Sequence, residues 1–347
     1  MEKRKSNLEL LRIISMFMII VFHCSFKSGF NFPPGFSVNK LLVKCFWMLG
    51  ELGVNLFILI SGYCMVNSRF KWNKLIRLLL ETQVYYWFTI LISSKLNIYK
   101  PSGWKEIFLS FFPVLLNRYW FITAYILIYC FSPYLNILIK AMSKKTYQNF
   151  LSTALILFCV IPTVFGLFFN NTEGMLYYNR MIWLLIMYFL GSYIYMRNDH
   201  ISKQKTRKRA LQTTVVSASV LVLSILVIDH FNDFFALLGT TEIAYFWTPN
   251  TIPMVFLSVA VFVWFANLPL SYHAVINVIA STTLGIYLLH DGILANWIWG
   301  TVFRCAEYQD SPWLVIRILT AAIIIFIIGT ILDLLRQALE KIILKRT

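Results

Sequence analysis

The chain has 347 residues, of which 59% are hydrophobic and only 13% are charged, and its mean hydropathy is +0.69. A soluble protein of this size could not bury so much apolar surface, so the composition predicts an all-α, polytopic membrane protein. The formal net charge of +16 is concentrated at the ends of the apolar segments, a placement that argues against nucleic acid as the partner.

Ten apolar segments have about the 20 residues that a helix needs to cross a bilayer. In chain order they are 8–26, 44–66, 75–94, 119–139, 149–169, 177–196, 211–229, 251–267, 277–295 and 313–335. The eighth is short and the ninth contains two glycines. We expect a single transmembrane domain over 1–347, with no appended soluble domain.

Lysine and arginine are concentrated in alternate loops of this arrangement. The basic residues before the first segment and after the second, fourth, sixth and tenth are Lys3, Arg4, Lys5, Arg69, Lys71, Lys74, Arg77, Lys140, Lys144, Lys145, six residues within 197–209, Arg336, Lys341, Lys345 and Arg346. The opposite loops 170–176 and 230–250 contain neither Lys nor Arg. Positively charged loops stay in the cytoplasm, so the pattern predicts that both termini are cytoplasmic.

The N-terminal MEKRK followed by an apolar run resembles a signal peptide. No small-residue cleavage site follows it, and Arg12 interrupts the apolar core, so we expect a retained helix. The six cysteines show no metal-type spacing, and we predict no metal site. A bridge between Cys45 and Cys305 on the outer face remains open.

Two outer regions have a distinctive composition. WKEIFLSFFPVLL, within 95–118, is typical of a short amphipathic segment lying at the interface. The aromatic FWTP at 246–249 fits interfacial anchoring, which we favour, or a surface on which a sugar ring stacks.

Arg12 and His23 are polar residues within the first segment, eleven positions apart. Because a helix turns about 100° per residue, the two side chains lie on one face, separated by roughly 16–17 Å along the axis. An ionisable side chain inside a membrane is costly, so it usually faces the protein interior and has a function there. This pair is the main indication of a site.

Further ionisable residues fall at the depth of His23. Glu51 lies in the outer third of the second segment with Asn55 one turn deeper, and His290 and Asp291 lie in the outer half of the ninth. A histidine beside a carboxylate is the arrangement that a general base needs. The alternative is that each is a hydrogen-bonded buried polar group that only joins helices.

At the opposite depth, Arg12 is expected near the level of Glu81, which has Arg77 as an alternative partner four residues earlier. Lys74 and Arg77 form a basic pair at a predicted helix N-terminus facing the cytoplasm. Such a position suits phosphate. On spacing alone we favour ordinary topology-setting charge.

Several of these stretches resemble segments of acyltransferase family 3, the integral membrane enzymes that O-acylate cell-envelope glycans. They are R-x10-H (Arg12 and His23), GVNLFILISGY (53–63), KLIR (74–77), YWFITAYILIYCFSPYL (119–135) and STTLGIYLLH (281–290). The family's basic pair is usually two arginines followed by a proline, whereas this chain has Lys74 and no proline. Many members also have an extracytoplasmic esterase-like domain, which is not found here.

The resemblance implies an acyl-CoA donor, with acetyl-CoA expected, that enters from the cytoplasmic side of a bacterial plasma (inner) membrane. Lys74 and Arg77 would hold its phosphates, and Ser61 and Asn55 would contact its arm. His23 would be the general base, oriented by Glu51, and Arg12 would line the path. A hydroxyl of a surface polysaccharide, lipid-linked saccharide or other envelope glycan would accept the acyl group beside Tyr119, Trp120 and His290. Direct transfer and an acyl-histidine intermediate are both open.

Two other classes of function fit a polytopic membrane protein. A secondary transporter or a flippase of a glycan precursor also places ionisable residues near the midplane, but the two halves show no visible inverted repeat and no paired broken helices. A sensor or assembly scaffold without chemistry is the third possibility. The sequence does not determine the oligomeric state.

Overall fold

The computed structural model describes residues 5–33, 35–169, 179–196, 203–237 and 244–344. Throughout these ranges all regular structure is helical. The predicted topology signals at Lys3, Arg4, 170–176, Arg197, Lys345 and Arg346 lie outside the described residues, as does the start of segment 177–196.

The described α-helices are numbered in chain order. They are α1 Ser6–Lys27, α2 Val38–Met65, α3 Trp72–Lys95, α4 Gly103–Leu109, α5 Trp120–Ala141, α6 Lys144–Leu155, α7 Ile161–Phe169, α8 Arg180–Met196, α9 Lys203–His230, α10 Asn232–Leu237, α11 Ile252–Ala266, α12 Ala274–Ala280, α13 Thr283–His290, α14 Ala295–Trp297 and α15 Leu314–Leu344. A π-helical turn joins α6 to α7, and another extends α14 to Phe303.

Within the described ranges, eight helical stretches are long and apolar enough to cross a membrane. They are Ser6–Lys27, Val38–Met65, Trp72–Lys95, Trp120–Ala141, Lys144–Gly166, Lys203–His230, Tyr245–Ala266 and Leu314–Ile342. Each contains most of one predicted segment, which confirms an all-helical membrane protein. The sixth segment corresponds to the shorter apolar helix Arg180–Met196. Ten crossings and cytoplasmic termini remain predictions.

The ninth segment differs from the single straight span expected over 277–295. Helix α13 ends at His290, and the chain continues into α14 at a bend of 86°. Gly292 has a φ of +83°, a left-handed conformation that favours glycine. Asp291 directly follows the last residue of α13, and its carboxylate pairs with Lys27 at 2.5 Å. The break therefore places a carboxylate at the C-terminal end of α1.

Helices α1 and α2 form the centre of the fold. In the most apolar window of each, 61% of residues are buried, against 22% in α9. A Cβ atom on Gly53 would lie 2.8 Å from the backbone oxygen of Ser15, and one on Gly50 would overlap Phe22. These glycines let α2 approach α1 closely, and the two helices run antiparallel, so Glu51 lies at the level of His23.

The opposite face of α2 crosses α8 at two further glycines. A Cβ on Gly62 would lie 2.1 Å from the carbonyl oxygen of Tyr188, and one on Gly191 would lie 2.3 Å from that of Leu59. Small residues at a crossing allow membrane helices to pack backbone to backbone. Ser192 adds a hydrogen bond to the Gly62 carbonyl at 3.0 Å. The glycine of the SGY stretch thus has a packing role.

The outer end also corrects one open possibility from the sequence. All six cysteines are free thiols, and Cys305 lies beside Cys24, with 3.5 Å between their Sγ atoms. Cys45 is therefore not the neighbour of Cys305.

Helix α4 is short and carries exposed apolar side chains, among them Trp104 at 81% exposure. Exposed apolar side chains are what an amphipathic segment at the membrane interface requires.

Candidate active site

A cavity of about 700 Å³ lies between the helices. Its walls come from α1, α2, α3, α5, α8, α12, α13 and α15 and from Trp247. Two groups of charged or titratable side chains line it at opposite ends. The basic end contains Arg12, Lys74, Arg77, Glu81 and Arg336; the histidine end contains His23, Lys27, Glu51, Arg180 and Asp291.

Helix α1 connects the two ends. It is continuous from Ser6 to Lys27, and both Arg12 and His23 line the cavity. Eleven residues of helix separate their Cα atoms by roughly 16–17 Å. The structure thus brings the two residues of the R-x10-H pattern to one cavity, at its two ends.

His23 and His290 form a buried pair. Nδ1 of His23 lies 2.9 Å from Nε2 of His290, and the ring centroids are 5.0 Å apart. Nδ1 of His290 lies 2.6 Å from the carbonyl oxygen of Ile286. A carbonyl only accepts, so the hydrogen of His290 is on Nδ1.

This arrangement assigns the hydrogens of the neutral pair. With hydrogen on its Nδ1, His290 accepts at Nε2, so His23 donates from its own Nδ1. The lone pair of His23 is then on Nε2. A histidine held in one tautomer by its neighbour, with the other nitrogen unprotonated, is suited to accept a proton.

Glu51 does not orient His23, contrary to the expectation from the sequence. It lines the cavity but makes no hydrogen bond to the imidazole, and its Oε2 is buried without a hydrogen-bond partner. The partner of His23 is another histidine, from α13. Glu51 therefore lines the histidine end with one carboxylate oxygen that has no hydrogen-bond partner.

Two cations face Glu51 and Asp291 at the histidine end. Lys27 pairs with Asp291 at 2.5 Å, and the guanidinium of Arg180 lies 4.6 Å from the ring centroid of Trp120. Trp120 lines the cavity, as does Trp247 of the FWTP stretch. This mouth of the cavity combines aromatic faces with hydrogen-bonding groups.

Tyr287 is a buried hydroxyl that the sequence did not single out. It lines the cavity one helical turn before His290, and its Oη has no hydrogen-bond partner of ordinary geometry. Its ring centroid is 6.2 Å from that of His290. A buried hydroxyl that interacts with Asp291 and the Phe121 backbone therefore lies beside the histidine pair.

At the basic end the ion pairs differ from those expected. Arg12 pairs with Glu9, three residues earlier, through contacts of 2.8 and 3.0 Å, and not with Glu81. Glu81 lies 3.0 Å from Arg336, without a hydrogen-bonding angle at that oxygen. Arg77 pairs with Glu340 instead of Glu81, at 3.1 Å.

The remaining predicted donor-side residues divide into two groups. Lys74, Arg77 and Ser61 line the cavity; the ammonium of Lys74 lies 4.8 Å from the ring centroid of Tyr129. Asn55 does not line it. Its side chain is fully buried and binds the Pro249 carbonyl, the Ser258 hydroxyl and the Trp183 indole at 2.9–3.0 Å.

Tyr119 and His290, predicted on the acceptor side, lie behind the cavity wall. Tyr119 is 2% exposed and donates to the Leu288 carbonyl at 3.2 Å. His290 is fully buried and contacts the cavity only through His23. Both therefore support α13 rather than face an acceptor, and Trp120 alone of the three lines the cavity.

Sequence reasoning missed Arg336 and Gln337, which line the basic end from α15. They lie one and two positions beyond the predicted tenth segment, and a window of apolar residues does not signal their importance. Among the described residues, no group of three or more His, Cys, Asp or Glu side chains is arranged to hold a metal ion.

The model of acyltransferase family 3, described as an acyltransferase domain, matches residues 5–332. No curated protein and no solved structure matches the chain significantly. Because the matched region covers nearly all 347 residues and includes both residues of the R-x10-H pair, this chain belongs to acyltransferase family 3.

Proposed function

We propose that this membrane acyltransferase transfers an acyl group, with acetyl expected, from acyl-CoA at the basic end to a glycan hydroxyl at the histidine end. In this proposal the site lies among the transmembrane helices of a protein of the bacterial plasma membrane. Its basic end faces the cytoplasm. The observation that carries the proposal is the single cavity lined by both Arg12 and His23.

The distribution of charge supports this direction of transfer. Of the described residues that line the basic end, four are cations and one is a carboxylate; at the histidine end two cations face two carboxylates. A net positive site attracts the phosphates of CoA. A balanced site with exposed aromatic rings suits an uncharged sugar better than a second anion.

The proposed reaction is direct transfer. Nε2 of His23 accepts the proton of the acceptor hydroxyl while that oxygen bonds to the thioester carbonyl carbon. The C–S bond then breaks, and the imidazolium returns the proton to the departing thiolate. The products are an acyl ester and free CoA thiol, and His23 is restored to its neutral form.

Two neighbours of His23 assist in this scheme. His290 keeps the hydrogen of His23 on Nδ1, so that Nε2 faces the substrate as a base. The buried hydroxyl of Tyr287 is the proposed donor to the oxyanion that develops on the thioester carbonyl, a position where one preorganised donor has a large effect. Arg12, tied to Glu9, lines the donor's path.

The acceptor is proposed to lie against the aromatic side chains of the histidine end. The ring centroids of Phe26 and Trp247 are 5.8 Å apart, and both residues line the cavity. Glu51 and Arg180 provide an acceptor and a donor for sugar hydroxyls close to these rings. Membership of an acyltransferase family supports this chemistry over transport of a glycan precursor.

The test is complementation of a deletion strain. Envelope glycans are analysed by NMR for ester-linked acyl groups, before and after mild alkali. Wild type restores the esters, and His23→Ala lowers the rate by about 10²–10⁴-fold, the usual effect of losing a general base. His273→Ala is the matched control, because His273 is an exposed histidine outside the cavity. Normal ester levels with His23→Ala at wild-type abundance would refute the proposal.

A further inference from the structure

Two arginines from different helices share one carboxylate oxygen at the basic end. Oε2 of Glu340 accepts hydrogen bonds from Arg77 of α3 at 3.1 Å and from Arg336 of α15 at 3.0 Å. Both arginines line the cavity, whereas Glu340 is not part of its lining. A negatively charged oxygen therefore sits between two guanidinium groups at this end of the passage.

Arg336 is held rigidly. Its Nε donates to Asp333 at 2.7 Å, and Asp333 is fully buried, where it also accepts from Tyr85 at 2.9 Å and Gln337 at 2.7 Å. Of the three carboxylates around Arg336, the Asp333 side chain is 0% exposed, Glu81 10% and Glu340 26%. Glu340 is the one that can withdraw toward solvent at the lowest desolvation cost.

A guanidinium fork binds phosphate and carboxylate oxygens through the same N–H donors. An oxygen held between two such forks thus marks a place where a phosphate oxygen also fits. Arg336 and Glu340 lie beyond the 5–332 that the family model matches, and the sequence pattern of the basic pair contains Arg77 but neither of them.

We propose that Arg77 and Arg336 form a phosphate-binding site for the acyl donor, and that Glu340 occupies this site until the donor displaces it. The identity of the ligand as a CoA phosphate rests on the proposed function. Arg336 supplies the second guanidinium that the pair Lys74 and Arg77 lacks. Glu340 acts as a competitor that sets how much donor is needed to fill the site.

The primary test is isothermal titration calorimetry, in which coenzyme A is added to the purified protein in neutral detergent and its affinity is measured. Glu340→Gln removes the competing charge and keeps the side-chain size, so we expect CoA to bind about three- to tenfold more tightly. Arg336→Lys keeps one charge and loses the fork, so we expect binding about tenfold or more weaker. Thermal melting of each variant without ligand establishes that it is folded.

The matched control is Glu307→Gln. Glu307 also pairs with an arginine, Arg304, but both side chains are more than half exposed and neither lines the cavity. We expect its CoA affinity to equal that of the wild type. Equal or weaker binding by Glu340→Gln, or tighter binding by Glu307→Gln as well, would overturn the placeholder role.

A membrane lipid is the other source of phosphate at this surface. The CoA titration is repeated in nanodiscs of phosphatidylcholine alone and with added phosphatidylglycerol. Unchanged affinity supports the donor assignment. The contrary result is that phosphatidylglycerol weakens CoA binding and that Arg336→Lys abolishes this effect. It would show that a lipid headgroup occupies the site and would overturn the donor assignment.

The inference and the proposed function can fail separately. If acyl transfer to the glycan proceeds but Glu340→Gln has the wild-type CoA affinity and the wild-type KM for the donor, the phosphate site is wrong and the proposed function stands. If the CoA affinities change as expected but no ester forms, the site is right and the proposed transfer is wrong.

Discussion

His23 has an unprotonated Nε2 because His290 binds its other nitrogen. The usual partner of a catalytic histidine is a carboxylate, which also stabilises the imidazolium. Here the nearest carboxylate at this end, Asp291, is engaged by Lys27 at 2.5 Å. In the proposed reaction, His290 therefore sets the tautomer of His23 but supplies no negative charge to the imidazolium.

Changing His290 tests this positioning role. His290→Ala leaves the Nδ1 hydrogen of His23 without an acceptor, and we expect acyl transfer to fall about 10- to 100-fold, a typical loss for a residue that orients a functional group. His290→Gln retains an acceptor oxygen and is expected to recover part of the rate. Initial rates are measured in membranes, normalised to protein abundance.

The pattern of rescue separates positioning from packing. If His290 has only a structural role, both variants are expected to be less abundant than wild type but to have the wild-type rate per molecule of protein. Full activity of His290→Ala would show that the histidine pair has no part in the reaction.

Tyr287 gives a second residue-scale prediction. Tyr287→Phe removes only a hydroxyl whose contacts lack strict hydrogen-bond geometry, so the fold is expected to stay intact while kcat falls about 10²-fold, at the lower end of the loss for one oxyanion donor. The donor KM is expected to change little, because the hydroxyl acts on charge that develops during the reaction. An unchanged kcat would remove Tyr287 from the oxyanion role.

The spacing of Arg12 and His23 was sufficient to predict that they face one interior, because helix geometry alone determines it. Their partners were not predictable in the same way. Arg12 pairs with Glu9 because Glu9 lies three residues away on the same helix. The expected depth in the membrane had indicated Glu81 instead. Asn55, at the right depth for the cavity, faces Trp183 and Pro249 instead, since depth does not determine which side of a helix meets which neighbour.

At the scale of the helix, hydropathy located the ten segments but did not detect the bend after α13. An average over about 19 residues cannot distinguish a straight span from two helical pieces with apolar side chains on both sides. The break depends on a left-handed Gly292 and on a long-range ion pair between Asp291 and Lys27. The bend matters because it ends α13 where His290 meets α1.

The crossing of α2 and α8 gives a prediction at this scale. Gly62→Ala or Gly191→Ala places a methyl group 2.1 or 2.3 Å from a backbone carbonyl oxygen, and backbone cannot move aside cheaply. We expect each to destabilise the protein by about 1–3 kcal/mol or more and to lower its melting temperature in detergent. Gly300→Ala is the control, because a Cβ there meets nothing within 4 Å. Equal melting temperatures for all three would contradict the close crossing.

At the scale of the whole molecule, the two ends of the cavity differ in charge. The basic end is built from the start of α1, the start of α3 and the end of α15, which the positive-inside pattern assigns to the cytoplasm. The positive-inside pattern places Arg336 on this side as well, but it does not predict that Arg336 lines the cavity, because α15 continues nine residues beyond the predicted segment end at 335. In the proposed reaction, this asymmetry corresponds to an anionic donor on the basic side and a sugar on the histidine side.

The central claim is that one passage joins a donor on the basic side to an acceptor on the histidine side. Its most direct test uses sealed native membrane vesicles of defined orientation, supplied externally with acetyl-CoA labelled in the acetyl group. We expect alkali-labile label to enter the glycan when the cytoplasmic face is outward and not when it is inward, and His23→Ala to reduce it by about 10²-fold or more. Equal labelling in both orientations, or wild-type labelling by His23→Ala, would contradict the claim.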